Sequence, residues 1–457
     1  DAFAWAANHG MGVLLKHRWT FAHETLREAL LARATMQGRL QRDHDTCARM
    51  LVLFYGESHL GSMERRGMHL LGARRVREAL GPILRTAEGY RRRGDFLQAR
   101  TLLELWDEHA RRLALSDVGI QGVQGACAWG ALYLAQGDLL SAREHSLRAR
   151  RASTPLEDPR CDAEVDLLEG ELARRDGQLT HASAAFERAL THAQHAGDVL
   201  LRARCLIASG ELEVALGRQG IARRRLMDAL EVLERSRHSE DWARALLALS
   251  ELVHARGEER DGRRLVDEAM QRFQAQGDRI AMAYTYNALG ERARRSGELE
   301  QATQHYQRAL ELFREMGSKQ VVVPYLNLAF TALERGDFAR TSFLVDAVAQ
   351  ELEEGARHGY LGCALLARAC CDAASADWGS WDAHLEQAIW CIESTGLLER
   401  DAAQLATRAG ELARAQSAPE RAATAFSLAL SQWSRLRDEH QIDYVRAQLE
   451  ELVAPTA

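Results

Sequence analysis

Glycines recur in this chain at a stride that few folds can use. Gly137, Gly177, Gly217, Gly257 and Gly297 are spaced 40 residues apart, Gly336 follows 39 further on, and the register continues through Ala376-Asp377 and Ser417. Seven positions before these turns stand Gly130, Gly170, Gly210, Ser250, Gly290, Ala329, Ala369 and Gly410, all small. After them come Ala142, Ala182, Ala222, Ala302, Thr341 and Ala422, and then the bulkier Phe186, Leu226, Tyr306 and Phe426. The stretch 281–317 shows the unit. Apolar residues recur at helical spacing on both sides of Ser296-Gly297-Glu298, so two amphipathic helices meet at a glycine turn. Small residues let the two helices approach, and Tyr306 and Phe313 fill the space between hairpins. A single hairpin cannot bury its own apolar faces and needs copies on either side. The periodicity therefore predicts an all-α fold, a right-handed α-solenoid of helix hairpins with a period of about 40 residues.

Composition supports long helices. The chain has 457 residues, of which 46% are hydrophobic but only 6% aromatic, with 6 prolines. A net charge of −6 gives no global field toward nucleic acid or an anionic membrane. No apolar run reaches the roughly 18–20 residues a membrane span needs, and residues 1–15 lack a basic leader, so a cytoplasmic protein is expected. The 8 cysteines form no Cys-x-x-Cys pair and have no histidines at zinc spacing, which predicts reduced, buried thiols and no metal.

The chain begins at Asp1 within a patterned stretch, as a piece of something longer would. Gly12 to Leu15 and Trp19 to Ala22 flank Lys16-His17-Arg18 and predict a short β-hairpin, and His23 to Leu31 predicts a helix. Gly56, Gly61, Gly67 and Gly72 interrupt the segment 41–90, which predicts short or kinked helices there. Pro155 and Pro159 mark a loop.

The run Phe21-Ala22-His23-Glu24-Thr25-Leu26-Arg27-Glu28-Ala29-Leu30 resembles the phrase that closes the winged-helix segment of bacterial STAND-type signalling ATPases. His69 to Ala73, Ala79-Leu80, Ala87-Glu88 and Arg93 to Ala99 are similar to the helical lead-in of the same class, whose chains continue into a tetratricopeptide array. The resemblance covers about residues 12–100 and the repeats beyond. It implies a winged-helix remnant at 1–40, an irregular helical lead-in at 41–90, and a tetratricopeptide-like array with a C-terminal capping helix at 91–457. It also implies an upstream signalling module, such as an ATPase, kinase, cyclase or DNA-binding domain. No Gly-x-x-x-x-Gly-Lys-Ser/Thr loop or Walker B carboxylate occurs in this sequence. His23 falls where some members of that class carry a histidine that reads nucleotide phosphates; the alternative is a histidine holding the hairpin against the helix.

No nucleophile–base arrangement and no cofactor site can be assembled from spacing, so no catalysis is expected from these residues. The array does carry a repeating polar feature. Glu171, Glu211, Glu251, Glu291 and Glu411 each follow the small residue of the first helix, a position that in a tetratricopeptide hairpin resembles one facing the concave groove. Stacked, they would form an acidic strip for a basic or helical peptide. Local pairing competes: Arg174 and Arg175 follow Glu171, and Arg294 and Arg295 follow Glu291, while Glu211 and Glu251 lack such neighbours. Trp378 and Trp381, with Trp390 nearby, are candidates for an aromatic pocket, core packing being the alternative. The runs Arg91 to Arg93, Arg111-Arg112 and Arg223 to Arg225 have carboxylates close by and no aromatic interleaving, which argues against nucleic acid.

These features predict a non-enzymatic interaction or sensor array. It would regulate an upstream module by binding a protein, peptide or small ligand in its groove, without a cofactor. A constitutive scaffold without a switch is the alternative.

Overall fold

A computed structural model describes residues 12–15, 18–21, 23–56, 59–115, 117, 119–235, 241–355 and 358–453. The chain divides into two compact units, residues 1–89 with 99–114 and residues 90–98 with 115–457.

The first unit opens with strands β1 (Gly12–Leu15) and β2 (Arg18–Phe21), paired antiparallel with Gly12 opposite Phe21 and Leu15 opposite Arg18. Helices α1 (Glu24–Met36), α2 (Leu40–Tyr55) and α3 (Leu60–Gly72) follow. Gly56 ends α2 with a φ of 67°. Gly61, Gly67 and Gly72 do not break a helix; all three lie inside α3. At two of them the reason is close approach. A side chain on Gly67 would start 3.0 Å from Ile83, and one on Gly72 would start 2.7 Å from the His44 ring. Helix α4 (Val76–Arg93) runs from the first unit into the second, and α5 (Phe96–Arg112) follows it.

The second unit is a stack of helix hairpins: α6 (Gly119–Gln136) with α7 (Leu139–Ser153), α8 (Pro159–Arg175) with α9 (Leu179–His195), and α10 (Val199–Ala215) with α11 (Gln219–Arg235). It continues with α12 (Trp242–His254) and α13 (Glu259–Gln276), α14 (Arg279–Arg295) and α15 (Leu299–Glu315), then α16 (Val322–Glu334) and α17 (Phe338–Glu354). Helices α18 (His358–Ser375), α19 (Trp378–Thr395), α20 (Arg400–Ala415), α21 (Pro419–Leu436) and α22 (Glu439–Val453) complete it. The predicted proline loop shrinks to a 3-10 turn, Thr154–Leu156, and Pro159 begins α8 where its missing N–H costs nothing.

The turns show why the stride is readable. Gly137, Gly177, Gly217, Gly257, Gly297 and Gly336 all have φ between 72° and 84°. That left-handed conformation stops the first helix. Where an aspartate comes next, it starts the second helix: Asp138 accepts from Ser141 N–H and Asp337 from Arg340 N–H. Ala376 and Ser417 hold the same turn at φ 56° and 60° without a glycine. Ala376→Gly and Ser417→Gly are therefore each expected to raise stability by about 0.5–1 kcal/mol in thermal unfolding, because relief of left-handed strain exceeds the added freedom of the unfolded chain.

Packing follows the small-to-large register. A side chain on Gly290 would start 2.5 Å from the Tyr306 ring, one on Gly210 2.8 Å from Leu226, and one on Gly410 2.7 Å from Phe426. The bulky partners are wholly buried. One apolar core runs from α14 to α22 and includes Trp381 and Trp433. Six of the eight cysteines are buried; Cys47 is exposed and Cys127 half-buried.

Candidate functional site

Side chains of hairpins two or three modules apart can meet across the inner side of a curved stack, since on the outer side they diverge. Those contacts identify the inner wall. Arg244 of α12 reaches Glu171 of α8 at 3.3 Å and Glu211 of α10 at 2.8 Å. Arg175 of α8 stacks 4.2 Å over the Tyr284 ring of α14 and donates to its hydroxyl. Arg294 of α14 pairs with Glu334 of α16 at 2.7 Å and with Asp401 of α20 at 2.5 Å.

The wall carries the predicted carboxylates, but most are engaged. Glu171 pairs with Arg174 at 2.6 Å as well as with Arg244. Burial pushes its carboxyl up, yet Arg174, Arg244 and Arg175 outweigh that and hold it well below the usual carboxylate range. Glu211 and Glu251, expected to lack partners, have them: Arg244 serves the first, and Arg295, 44 residues on, lies 3.4 Å from the second. A search confined to one helix misses both, because the cation comes from a later hairpin. Glu411 accepts from Arg408 at 3.0 Å and from the Tyr444 hydroxyl at 2.8 Å. The strip from Glu171 to Glu251 is thus a neutralised ladder, not a bare acidic surface.

Glu291 differs. Its carboxylate accepts amide N–H groups from Asn287 at 2.7 Å and Asn327 at 3.5 Å, while the two arginines that follow it turn to other carboxylates. Burial, reinforced by Asp401, raises it to about 6 despite the opposing pull of Arg295 and Arg294. Glu399 sits at the start of α20 with no side-chain hydrogen bond to that helix end. Burial, with Asp401 and then Glu291, pushes it up to about 8. Glu251, Glu291, Glu334, Glu399 and Asp401 thus share a neighbourhood with two guanidinium groups, Arg294 and Arg295. This is the part of the wall where positive charge falls short.

The tryptophans separate. Trp381 is 2% exposed and belongs to the core, so it cannot line a groove; its spacing on α19 puts it where the unit's small residue would stand, facing the preceding helix. Trp378 is half-buried, meets Trp381 edge-on at 6.2 Å and takes Arg421 over its face at 5.1 Å. His23 is exposed just before α1 and makes no capping hydrogen bond with its side chain. Sequence reasoning missed Arg244, Glu399 and Asp401. Among the described residues, no group of three His, Cys, Asp or Glu side chains could hold a metal ion, and no helix is long and apolar enough to cross a membrane.

No known family model matches the chain, and no curated protein matches it. Solved structures do. The Rap protein complexed with competence and sporulation factor is 14% identical over 82% of this chain and 99% of its own, with a TM-score of 0.58. A STAND signal-transduction ATPase with a tetratricopeptide sensor from Pyrococcus horikoshii is 12% identical over 78% of this chain and 55% of its own, with a TM-score of 0.48. NprR in complex with its cognate peptide NprX is 12% identical over 79% and 98%, with a TM-score of 0.45. At these identities a likeness is one of architecture, and what the chain shares with the Rap protein is an all-helical solenoid of tetratricopeptide-like hairpins.

Proposed function

We propose that the chain is a non-enzymatic sensor array that binds a basic peptide or protein segment on the inner wall at α14 and so regulates a signalling module joined to it. The observation that supports this most is the cluster of Glu291, Glu399 and Asp401, where burial first, and then the neighbouring carboxylates, drive two carboxyls up to about 6 and about 8. A lysine or arginine side chain, or an amino terminus, would supply positive charge there. It would also donate to the half-buried Glu291 carboxylate, whose hydrogen bonds come from the Asn287 and Asn327 amides. The fold shared with the Rap protein complexed with competence and sporulation factor is compatible with such a role. On this reading residues 1–40 close a winged-helix segment, 41–90 form a lead-in, and regulation passes through them to the signalling module.

The test is direct binding by fluorescence anisotropy, using labelled hexalysine and labelled hexaglutamate. Hexalysine is expected to bind, and Glu399→Gln combined with Glu291→Gln to weaken it at least tenfold. Glu171→Gln, which alters a carboxylate already paired, should change it little. Binding that favours hexaglutamate, or that ignores the double substitution, would remove the basic-ligand reading.

A further inference from the structure

Three contacts in the second unit join hairpins that are far apart in the chain, and they share one geometry. In the first, Ser318 Oγ donates to the Ala135 carbonyl at 2.8 Å, and Gln320 Nε2 donates to the Leu134 carbonyl at 3.2 Å. Ser318 and Gln320 are 3% and 1% exposed, and the carbonyls they meet lie in the last turn of α6, where that of Leu134 also accepts from the Gly137 N–H at 3.2 Å. In the second, Leu397, 2% exposed, fills the notch left by two glycines. A side chain on Gly177 would start 2.8 Å from its methyl carbon and one on Gly359 3.2 Å from it. The Gly359 position also lies 3.8 Å from the Asp176 carbonyl oxygen. In the third, the Gly277 position lies 3.5 Å from Arg93 Nε, and Met316 covers Gly94.

The spacing is regular. Ala135 to Ser318 is 183 residues, Asp176 to Gly359 is 183, and Arg93 to Gly277 is 184. Each of these joins the end of one hairpin's first helix to the start of another's five hairpins later. Leu397 to Gly177 spans 220 residues and Met316 to Gly94 spans 222, one hairpin more, so all are rungs of one seam.

The second rung is wired to the inner wall on both sides. Arg175, adjacent to Asp176, is the residue that stacks on Tyr284. Leu397 is followed by Glu399 and by Asp401, which holds Arg294. Both ties land on α14, the helix that carries Asn287 and Glu291. We propose that the seam is a latch and the inner face of α14 its release: the rungs hold the array closed, and a ligand that draws Asp401 from Arg294, or Arg175 from Tyr284, loosens the second rung and opens the seam. This rests on the ligand-binding reading above for its physiological trigger, but the latch itself is a property of the chain alone. Coupling of this kind runs both ways, so an opened seam binds the ligand more tightly.

The test uses the full chain and reads hydrogen exchange of segments 134–138, 174–178 and 316–322 beside small-angle scattering, with circular dichroism to confirm helix content. Ser318→Ala with Gln320→Ala opens the first rung directly; Asp401→Asn and Tyr284→Ala cut the two inner-wall ties. All three variants are expected to raise exchange in those segments about tenfold and to enlarge the radius of gyration at unchanged helicity. Hexalysine added to the parent chain should reproduce the pattern. If the rung variant changes neither measurement, or if it does while Asp401→Asn and Tyr284→Ala leave seam exchange at the parent level, the latch is overturned. If the tie variants open the seam but hexalysine does not bind, the latch stands and the basic-ligand reading falls.

Discussion

Replacing Arg294 with alanine should cost the array about 3–5 kcal/mol in urea unfolding, the range for a buried ion pair that loses one partner. The guanidinium is 6% exposed and bridges Glu334 and Asp401 on two further helices. Without it, Asp401 would face Glu291 and Glu399 with only Arg295 nearby, and desolvated carboxylates would repel each other. Arg294→Lys keeps the charge but cannot fork to both acceptors, so it should recover only part of the loss. Alanine behaving like an ordinary surface substitution, within about 0.5 kcal/mol of the parent, would show that the bridge does not hold these hairpins together.

Glu399→Gln should do the opposite, and its effect should depend on pH. An unfolded glutamate releases its proton near pH 4.3, whereas burial beside Asp401 and Glu291 raises the folded carboxyl to about 8. Between those values the folded chain keeps a proton that the unfolded chain has given up. Stability therefore falls as pH rises through that window, and below it this group contributes no difference. The amide needs no proton. Glu399→Gln is expected to match the parent at pH 4.5 and to exceed it by roughly 3 kcal/mol at pH 8.5, after allowance for the carboxyl's partial exposure. Glu291, at about 6, adds a smaller slope of the same sign over a narrower range. Parallel stability curves for parent and variant would place Glu399 in water.

The fold was legible because each unit repeats the same local chemistry. A glycine with positive φ and a small residue seven positions earlier leave a mark in every hairpin, and even Ala376 and Ser417 keep the turn geometry. The site was half legible. Glu171, Glu211 and Glu251 meet cations from other hairpins, and which glutamate lacks one is decided by partners 33, 44 or 107 residues away. Such distances depend on how tightly the stack curves, and no property of a single unit encodes that. Trp381 shows the same limit from the other side: a bulky indole in an irregular unit reads as core by default and as pocket by alternative, and only its burial in the core decides. Leu397 and Glu399 lie in a break in the register, where there was no pattern to read.

Arrays of this architecture ordinarily tolerate the gain or loss of a module, since each touches only those beside it. Here the rungs measure length. Duplicating one hairpin between Arg93 and Gly277 would leave every adjacent interface intact yet carry Gly277 one module beyond Arg93 and so unmake that rung. The number of hairpins between the joined edges is therefore fixed by geometry, and a relative that shares this closure must keep that number whatever becomes of its sequence.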